Sequence, residues 1–187
     1  MLRTSSLGSL AMLVSLAACG DDPLSYSGPV AINLKAESGA VNGTAISDEK
    51  GITTESGNPY GLFIADARDT LGRDPSRIEI DALTLTLGAE STGVTALEQV
   101  YTGDVDVLFL MNDTNNTYPA GRVSSPTGAG PVPVGIGFES NGIADQDWPK
   151  FVGGSFKVII RGTAATEFAS KGAKADLQLA FTFAAYE

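Results

Sequence analysis

The residues best suited to bind a ligand form a polar stretch at 112–117, Asn-Asp-Thr-Asn-Asn-Thr, directly after an apolar run. Asp113 supplies a carboxylate, and Asn112 and Asn115 supply amide oxygens. Calcium prefers hard oxygen ligands of these kinds. The same residue types are common in turns, because their side chains hydrogen-bond the local backbone and tolerate left-handed conformations. The stretch therefore predicts a turn, and a calcium site is the alternative that its chemistry allows.

A second acidic stretch precedes the single tryptophan of the chain. Glu139, Asn141, Asp145 and Asp147 lead up to Trp148. Carboxylates beside an indole suit either calcium or a sugar ring stacked on the aromatic face. The stretch lacks the Asp/Asn spacing and the closing Glu of an EF-hand loop, so it is not that motif. The structural alternative is a Trp148 packed against the core with its N–H group satisfied.

The residue types give little support for catalysis. The chain contains no histidine and one cysteine, which excludes the commonest general base and every Ser–His or Cys–His arrangement. Asp104 and Asp106 would lie about 7 Å apart on one face of a strand, a spacing that also suits the two carboxylates of a glycosidase. Any exposed strand face meets that spacing. We therefore expect a non-enzymatic protein, with a carboxylate-based hydrolase as a weaker alternative.

The first 18 residues have the order of regions typical of a secretory signal. A positive charge at Arg3 is followed by an apolar run from Leu7 to Leu16 and then by small residues. The run is too short to span a bilayer, which needs about 20 apolar residues.

The segment that ends this leader, Leu16-Ala17-Ala18-Cys19, resembles the lipobox of bacterial lipoproteins. In that family the cysteine thiol is diacylated and the preceding segment is removed. The resemblance implies that Cys19 becomes a lipidated N-terminus that anchors the protein in a membrane. Gly20 follows the cysteine where an aspartate would favour the inner membrane, so the enterobacterial sorting pattern implies the outer membrane of a diderm bacterium. An ordinary secretory signal with a chance cysteine is the alternative.

Charge restricts the partners. The formal net charge is −10, and loss of Arg3 with the leader makes it −11. Such a chain repels the phosphates of nucleic acid and of anionic lipid, so we expect no nucleic-acid partner and a membrane contact made by the lipid anchor. The organisation that follows is a signal peptide at 1–18, a polar lipidated tether at 19–28 and one domain at 29–187.

Within that domain, most apolar residues alternate with polar ones, as is typical of strands. The clearest alternation runs from Ala175 to Ala185, and we expect its odd-numbered side chains to face the core. Between Ile78 and Leu87 the alternation changes phase, which predicts a β-bulge near residues 81–82. One segment, Pro59–Leu71, has helical spacing instead, with an N-cap residue before it and a glycine after it.

Three further patterns predict local structure. Asn42-Gly43 between short apolar stretches is a hairpin signal. Pro133 favours an edge strand, because proline cannot donate to a β-ladder. Leu108 and Leu110 interrupt the polar face of their strand, which predicts that the end of that strand is buried on both sides.

The sequence thus predicts a mainly β protein, an antiparallel β-sandwich with one short helix. The function it favours is a lipid-anchored, non-enzymatic binding or scaffold module of the cell envelope, with an envelope protein or a glycan as partner. A calcium-dependent or carbohydrate-binding module is the alternative. It would use Asn112, Asp113 and Asn115, or Asp145, Asp147 and Trp148.

Overall fold

Two antiparallel sheets pack face to face in the computed structural model, which describes residues 24–55 and 57–187. The signal segment and Cys19 lie outside the described residues. The strands are β1 (Ser25–Glu37), β2 (Ala45–Ile52), β3 (Arg77–Leu87), β4 (Tyr101–Met111), β5 (Thr117–Ser124), β6 (Val132–Pro133), β7 (Gly135–Ile136), β8 (Phe156–Ala164) and β9 (Lys174–Tyr186). The helices are α1 (Pro59–Leu71) and α2 (Trp148–Val152), together with short 3₁₀ turns. One sheet has the strand order β1-β9-β3-β6 and the other β2-β8-β4-β5-β7, which confirms the predicted β-sandwich.

The longest strands, β1 and β9, pair along their whole length. Their register runs from Ser25 opposite Tyr186 to Glu37 opposite Lys174. The odd-numbered side chains of β9 from Ala175 to Ala185 are all at most 1% exposed. The predicted inward face of this strand is therefore confirmed. Beside the strand pair, the backbone N–H of Glu187 donates to the carbonyl of Leu24, so the two ends of the described chain lie together.

Helix α1 has the predicted bounds. The Asn58 side chain accepts a hydrogen bond from the N–H of Tyr60, and Gly72 ends the helix in the left-handed conformation with φ 69°. The buried residues of α1 contact the core, where the Tyr60 hydroxyl donates to the carbonyl of Phe151.

The change of phase in β3 is a β-bulge between Ile80 and Ala82. It keeps apolar side chains inward on both sides of the irregularity. Pro133 lies in β6 at the edge of its sheet, as predicted. In the sequence, apolar residues alternate from Val132 to Phe138, a pattern typical of a single strand. No single strand forms there, because the chain crosses from β6 in one sheet to β7 in the other.

Three expectations need correction. Asn42-Gly43 forms a tight turn, closed by a bridge between Asn42 and Ala45, but the strands on either side belong to opposite sheets, so no hairpin forms. Ser25–Gly28, expected in the tether, belong to β1 because β9 is long enough to pair with them. At the end of β4, Leu108 is buried but Leu110 is only half-buried, so burial on both sides is incomplete there.

No helix within residues 24–55 and 57–187 combines the length and apolar character needed to cross a bilayer.

Candidate functional site

The topology brings the two polar stretches of the sequence together at one end of the sandwich. The first is the turn from β4 to β5, and the second is the connection that leads into α2. Their contact centres on Asp147, which is 0% exposed. This carboxylate accepts hydrogen bonds from Thr114 Oγ1 at 2.8 Å, Asn116 Nδ2 at 2.7 Å and the Tyr118 hydroxyl at 2.8 Å.

Lys150 completes this network. Its Nζ lies 3.4 Å from Asp147 Oδ1 and donates to the carbonyl of Asn112 at 3.0 Å. The Tyr118 hydroxyl, besides donating to Asp147, accepts the backbone N–H of Ala144. Because a buried carboxylate is costly unless it is paired and hydrogen-bonded, the four donors explain how this charge is tolerated.

The same contacts set the ionisation of Asp147. Burial by itself raises the pKa of a carboxyl group, but the hydrogen bonds from Asn116, Thr114, Tyr118 and Lys150 outweigh burial and lower the pKa of Asp147 from 3.8 to about 2. Asp147 is therefore ionised at neutral pH, and its oxygens are already occupied by donors.

The predicted ligand residues of the first stretch separate into two groups. Asp113 and Asn115 are exposed and adopt left-handed conformations with φ 68° and 55°, which agrees with the turn interpretation. Asn112 is half-buried, and its side chain donates to the hydroxyl of Ser155. A calcium ion bound here would have to displace the donors on Asp147 or use Asp113 and Asn115 on the exposed side of the turn.

Next to this network, Trp148 lines an open cleft of about 380 Å³. The half-buried indole packs against Phe151, with ring centroids 6.0 Å apart. The other residues of this Trp148 cleft are Ser76, Arg77, Ser140, Asn141, Ile143, Asp145 and Pro149. Asp145 and Asn141 are exposed, and their side chains make no hydrogen bond or ion pair with any other residue that the structure describes. The cleft therefore holds polar groups that are free to meet a ligand.

A second cleft, of about 410 Å³, continues from the first along β3. We call it the Glu139 cleft. It shares Arg77, Ser140 and Asn141 with the Trp148 cleft, and its other residues are Glu79, Ile80, Phe138 and Glu139. The Arg77 guanidinium lies 3.9 Å from the centre of the Tyr186 ring and also binds Glu79 at 2.8 Å.

The wall that β3 contributes to these clefts is an open strand edge. Over residues 77–82, β3 pairs with β9 on one side, whereas β6 reaches it only at Thr84 and Leu85. Within the described residues, backbone groups on the other side of this segment therefore have no strand partner. They add donors and acceptors to the polar side chains of the clefts.

The carboxylates considered for hydrolysis lie elsewhere, on the outer face of the five-stranded sheet. Arg122 binds Asp106 at 2.7 Å and Asp104 at 3.4 Å, and Arg161 lies 3.5 Å from Asp106. This arrangement is an exposed ion-pair network of the kind expected on a strand face.

No protein family, curated protein or solved structure matches this chain. Its site must be interpreted from its own residues.

Within the described residues, no group of three or more acidic or cysteine side chains is arranged to hold a metal ion. Sequence reasoning identified Asp147 and Trp148 but missed the side chains that engage Asp147, which are Thr114, Asn116, Tyr118 and Lys150. Positions 114, 116 and 118 are two residues apart, but only Tyr118 lies in a strand, β5, so strand alternation does not identify the set. Ser76 and Arg77 were also missed, because only the register of β3 places them opposite the loop that carries Trp148.

Proposed function

We propose that this protein is a lipid-anchored, non-enzymatic binding module of the bacterial cell envelope, held in the outer membrane through Cys19, and that it binds its ligand in the Trp148 cleft. One observation carries the binding part of the proposal. Beside the aromatic side chain of Trp148, the cleft holds the exposed and unengaged side chains of Asp145 and Asn141.

The size and the lining of the cleft are compatible with a small-molecule site. Small-molecule sites typically measure about 300–1,000 Å³ and combine apolar or aromatic walls with a few polar groups. The Trp148 cleft has about 380 Å³ and both kinds of wall.

The chemistry of the chain supports the non-enzymatic part. The sequence has no histidine, and its single cysteine is the residue proposed to carry lipid. The carboxylate pair at Asp104 and Asp106 is engaged by two arginines, so neither carboxylate is poised to act as a general acid.

The anchor is tested by expressing the full chain and its Cys19→Ser variant and separating membrane from soluble fractions. We expect the wild type in the outer-membrane fraction, with an acylated N-terminal peptide starting at Cys19 in mass spectrometry. We expect Cys19→Ser to be released or left unprocessed. A processed serine variant that stays in the membrane would refute the anchor.

Binding is tested on the detergent-extracted wild type by co-sedimentation with purified cell-wall sacculi, which contain no bilayer into which the lipid anchor could insert. Trp148→Ala should lose the association, whereas Asp113→Asn, an exposed change outside the cleft, should keep it. Equal sedimentation of wild type and Trp148→Ala would show that the cleft is not the binding site.

A further inference from the structure

Resting on the proposed function, we infer a ligand class for the same site: the Trp148 and Glu139 clefts form one groove that binds at least two linked rings of a neutral glycan. The argument starts from the indole. Trp148 offers an aromatic surface at the cleft wall, and the C–H face of a sugar ring is the apolar surface of an otherwise polar molecule. An aromatic wall next to free polar groups suits such a two-sided ligand.

The polar groups match hydroxyls, which both donate and accept hydrogen bonds. Asp145 is an acceptor when ionised, Arg77 is a donor, and Asn141 is both. The open edge of β3 over residues 77–82 adds backbone groups of both kinds. A ligand that only donates or only accepts would leave half of these groups without a partner.

Charge selects against an anionic ligand. The lining of the two clefts holds three carboxylates, Glu79, Glu139 and Asp145, and one cation, Arg77, which already binds Glu79. An anionic ligand would meet like charges along the whole groove. The hydroxyls of a neutral ring can instead donate to these carboxylates.

The length of the groove requires more than one ring. Its two clefts follow one another from Ser76, the residue before β3, to Ile80, a distance of about 13 Å at 3.3 Å per residue. Shared lining by Arg77, Ser140 and Asn141 makes the two clefts continuous. A linear oligosaccharide would thus place one ring at Trp148 and the next near Glu139.

An extended peptide added to the β3 edge is the competing occupant, and the geometry disfavours it. Strand addition needs a regular edge, but the bulge between Ile80 and Ala82 interrupts this one. Bulges at sheet edges are a device that prevents such pairing. The regular part of the open edge is therefore only about four residues long.

The test uses the detergent-extracted protein and the emission of Trp148, the single tryptophan of the chain, so the signal reports on the cleft directly. The probes are glucose, N-acetylglucosamine, their β-1,4-linked tetramers, glucuronic acid and an uncharged pentapeptide. We expect a saturable change with at least one neutral tetramer, which should bind roughly tenfold or more tightly than its monomer. Glucuronic acid, which is anionic, and the peptide should give no response.

Variants assign the two ring positions. Asp145→Asn and Asn141→Ala should each weaken a tetramer and its monomer roughly tenfold, as expected for loss of a hydrogen-bonding group. Glu139→Gln should weaken the tetramer alone. Asp113→Asn, an exposed carboxylate outside the groove, is the matched control and should bind as the wild type does.

The outcomes separate this inference from the proposed function. Emission changes with the pentapeptide alone, equal affinity for monomer and tetramer, or wild-type affinity in Asp145→Asn would each overturn the glycan groove. If no sugar binds while co-sedimentation still depends on Trp148, the ligand class is wrong and the binding module stands. Loss of both results refutes both.

Discussion

Asp145 and Asp147 are two residues apart in one loop, yet they have opposite surroundings. Asp147 is fully buried and holds hydrogen bonds from Thr114, Asn116 and Tyr118, together with a contact to Lys150. Asp145 is exposed at the rim of the Trp148 cleft and has no such partner among the described residues. The same chemical group thus serves structure in one position and is available for binding in the other.

The difference teaches how the cleft is kept in shape. The Asp147 network ties the loop that carries Trp148 to the β4–β5 turn, and Asp147 directly precedes α2, which begins at Trp148. The residues of a site hold their geometry when supporting hydrogen bonds fix them. In the proposed function, Asp147 is a positioning residue and Asp145 is a ligand-contacting one.

A substitution in the interior of the sandwich should lower the free energy of unfolding more than a change at either carboxylate. Leu179 is fully buried on β9, and Leu179→Ala should lower the free energy of unfolding by about 2–5 kcal/mol. Gln178, exposed on the opposite face of the strand, is the matched control, and its replacement by Ala should cost at most about 0.5 kcal/mol. Denaturant unfolding measures both, and equal costs would contradict the assigned faces.

Asp147→Asn should be the more harmful of the two carboxylate changes. The amide removes the charge and turns an NH₂ group toward side chains that are themselves donors, which leaves buried polar groups unsatisfied. We expect the melting temperature to fall by on the order of 5 °C or more, with weaker ligand binding as a consequence. Asp147→Asn with an unchanged melting temperature would remove the structural role.

The stability of the protein at acidic pH should also depend on Asp147. The pKa of Asp147 is about 2 in the folded protein against an ordinary 3.8, so the unfolded chain takes up this proton first as the pH falls. Its stabilising contribution is complete above about pH 5 and is lost as the pH falls through about 2. The difference in stability between wild type and Asp147→Asn should therefore shrink over that range, as followed by thermal melts. A constant difference would mean that the hydrogen bonds do not depend on the charge.

Asp145→Asn should have the smallest effect on stability. The side chain is exposed and makes no intramolecular bond within the described residues, so we expect a change within about 0.5 kcal/mol in denaturant unfolding. By contrast, Asp145→Asn should clearly weaken ligand binding. A stability loss comparable to that of Asp147→Asn would end the distinction between the two carboxylates.

The sequence predicts the sandwich better than the site, for a physical reason. The alternation from Ala175 to Ala185 and the cap at Asn58 are local, and tertiary structure left them unchanged. The partners of Asp147 depend on which loops come into contact at the end of the sandwich. Those contacts follow from the order of the strands in the sheets, and the alternation of apolar residues does not determine that order. Asn42-Gly43 shows the same limit, because its turn was predictable but the sheets of its flanking strands were not.

The alignment of three neighbouring strands limits how far from the membrane the groove can lie. Ser25, Tyr186 and Arg77 are in register on β1, β9 and β3, so the groove wall begins about 10 Å from the start of the first strand. The proposed anchor at Cys19 is joined to Leu24 by five residues, which span at most about 18 Å. A protein tethered in this way would sample only the layer within a few tens of ångströms of the bilayer. Ligands farther from the bilayer would be out of reach. The length of the tether would therefore restrict which ligands the protein can bind, in addition to the chemistry of the groove.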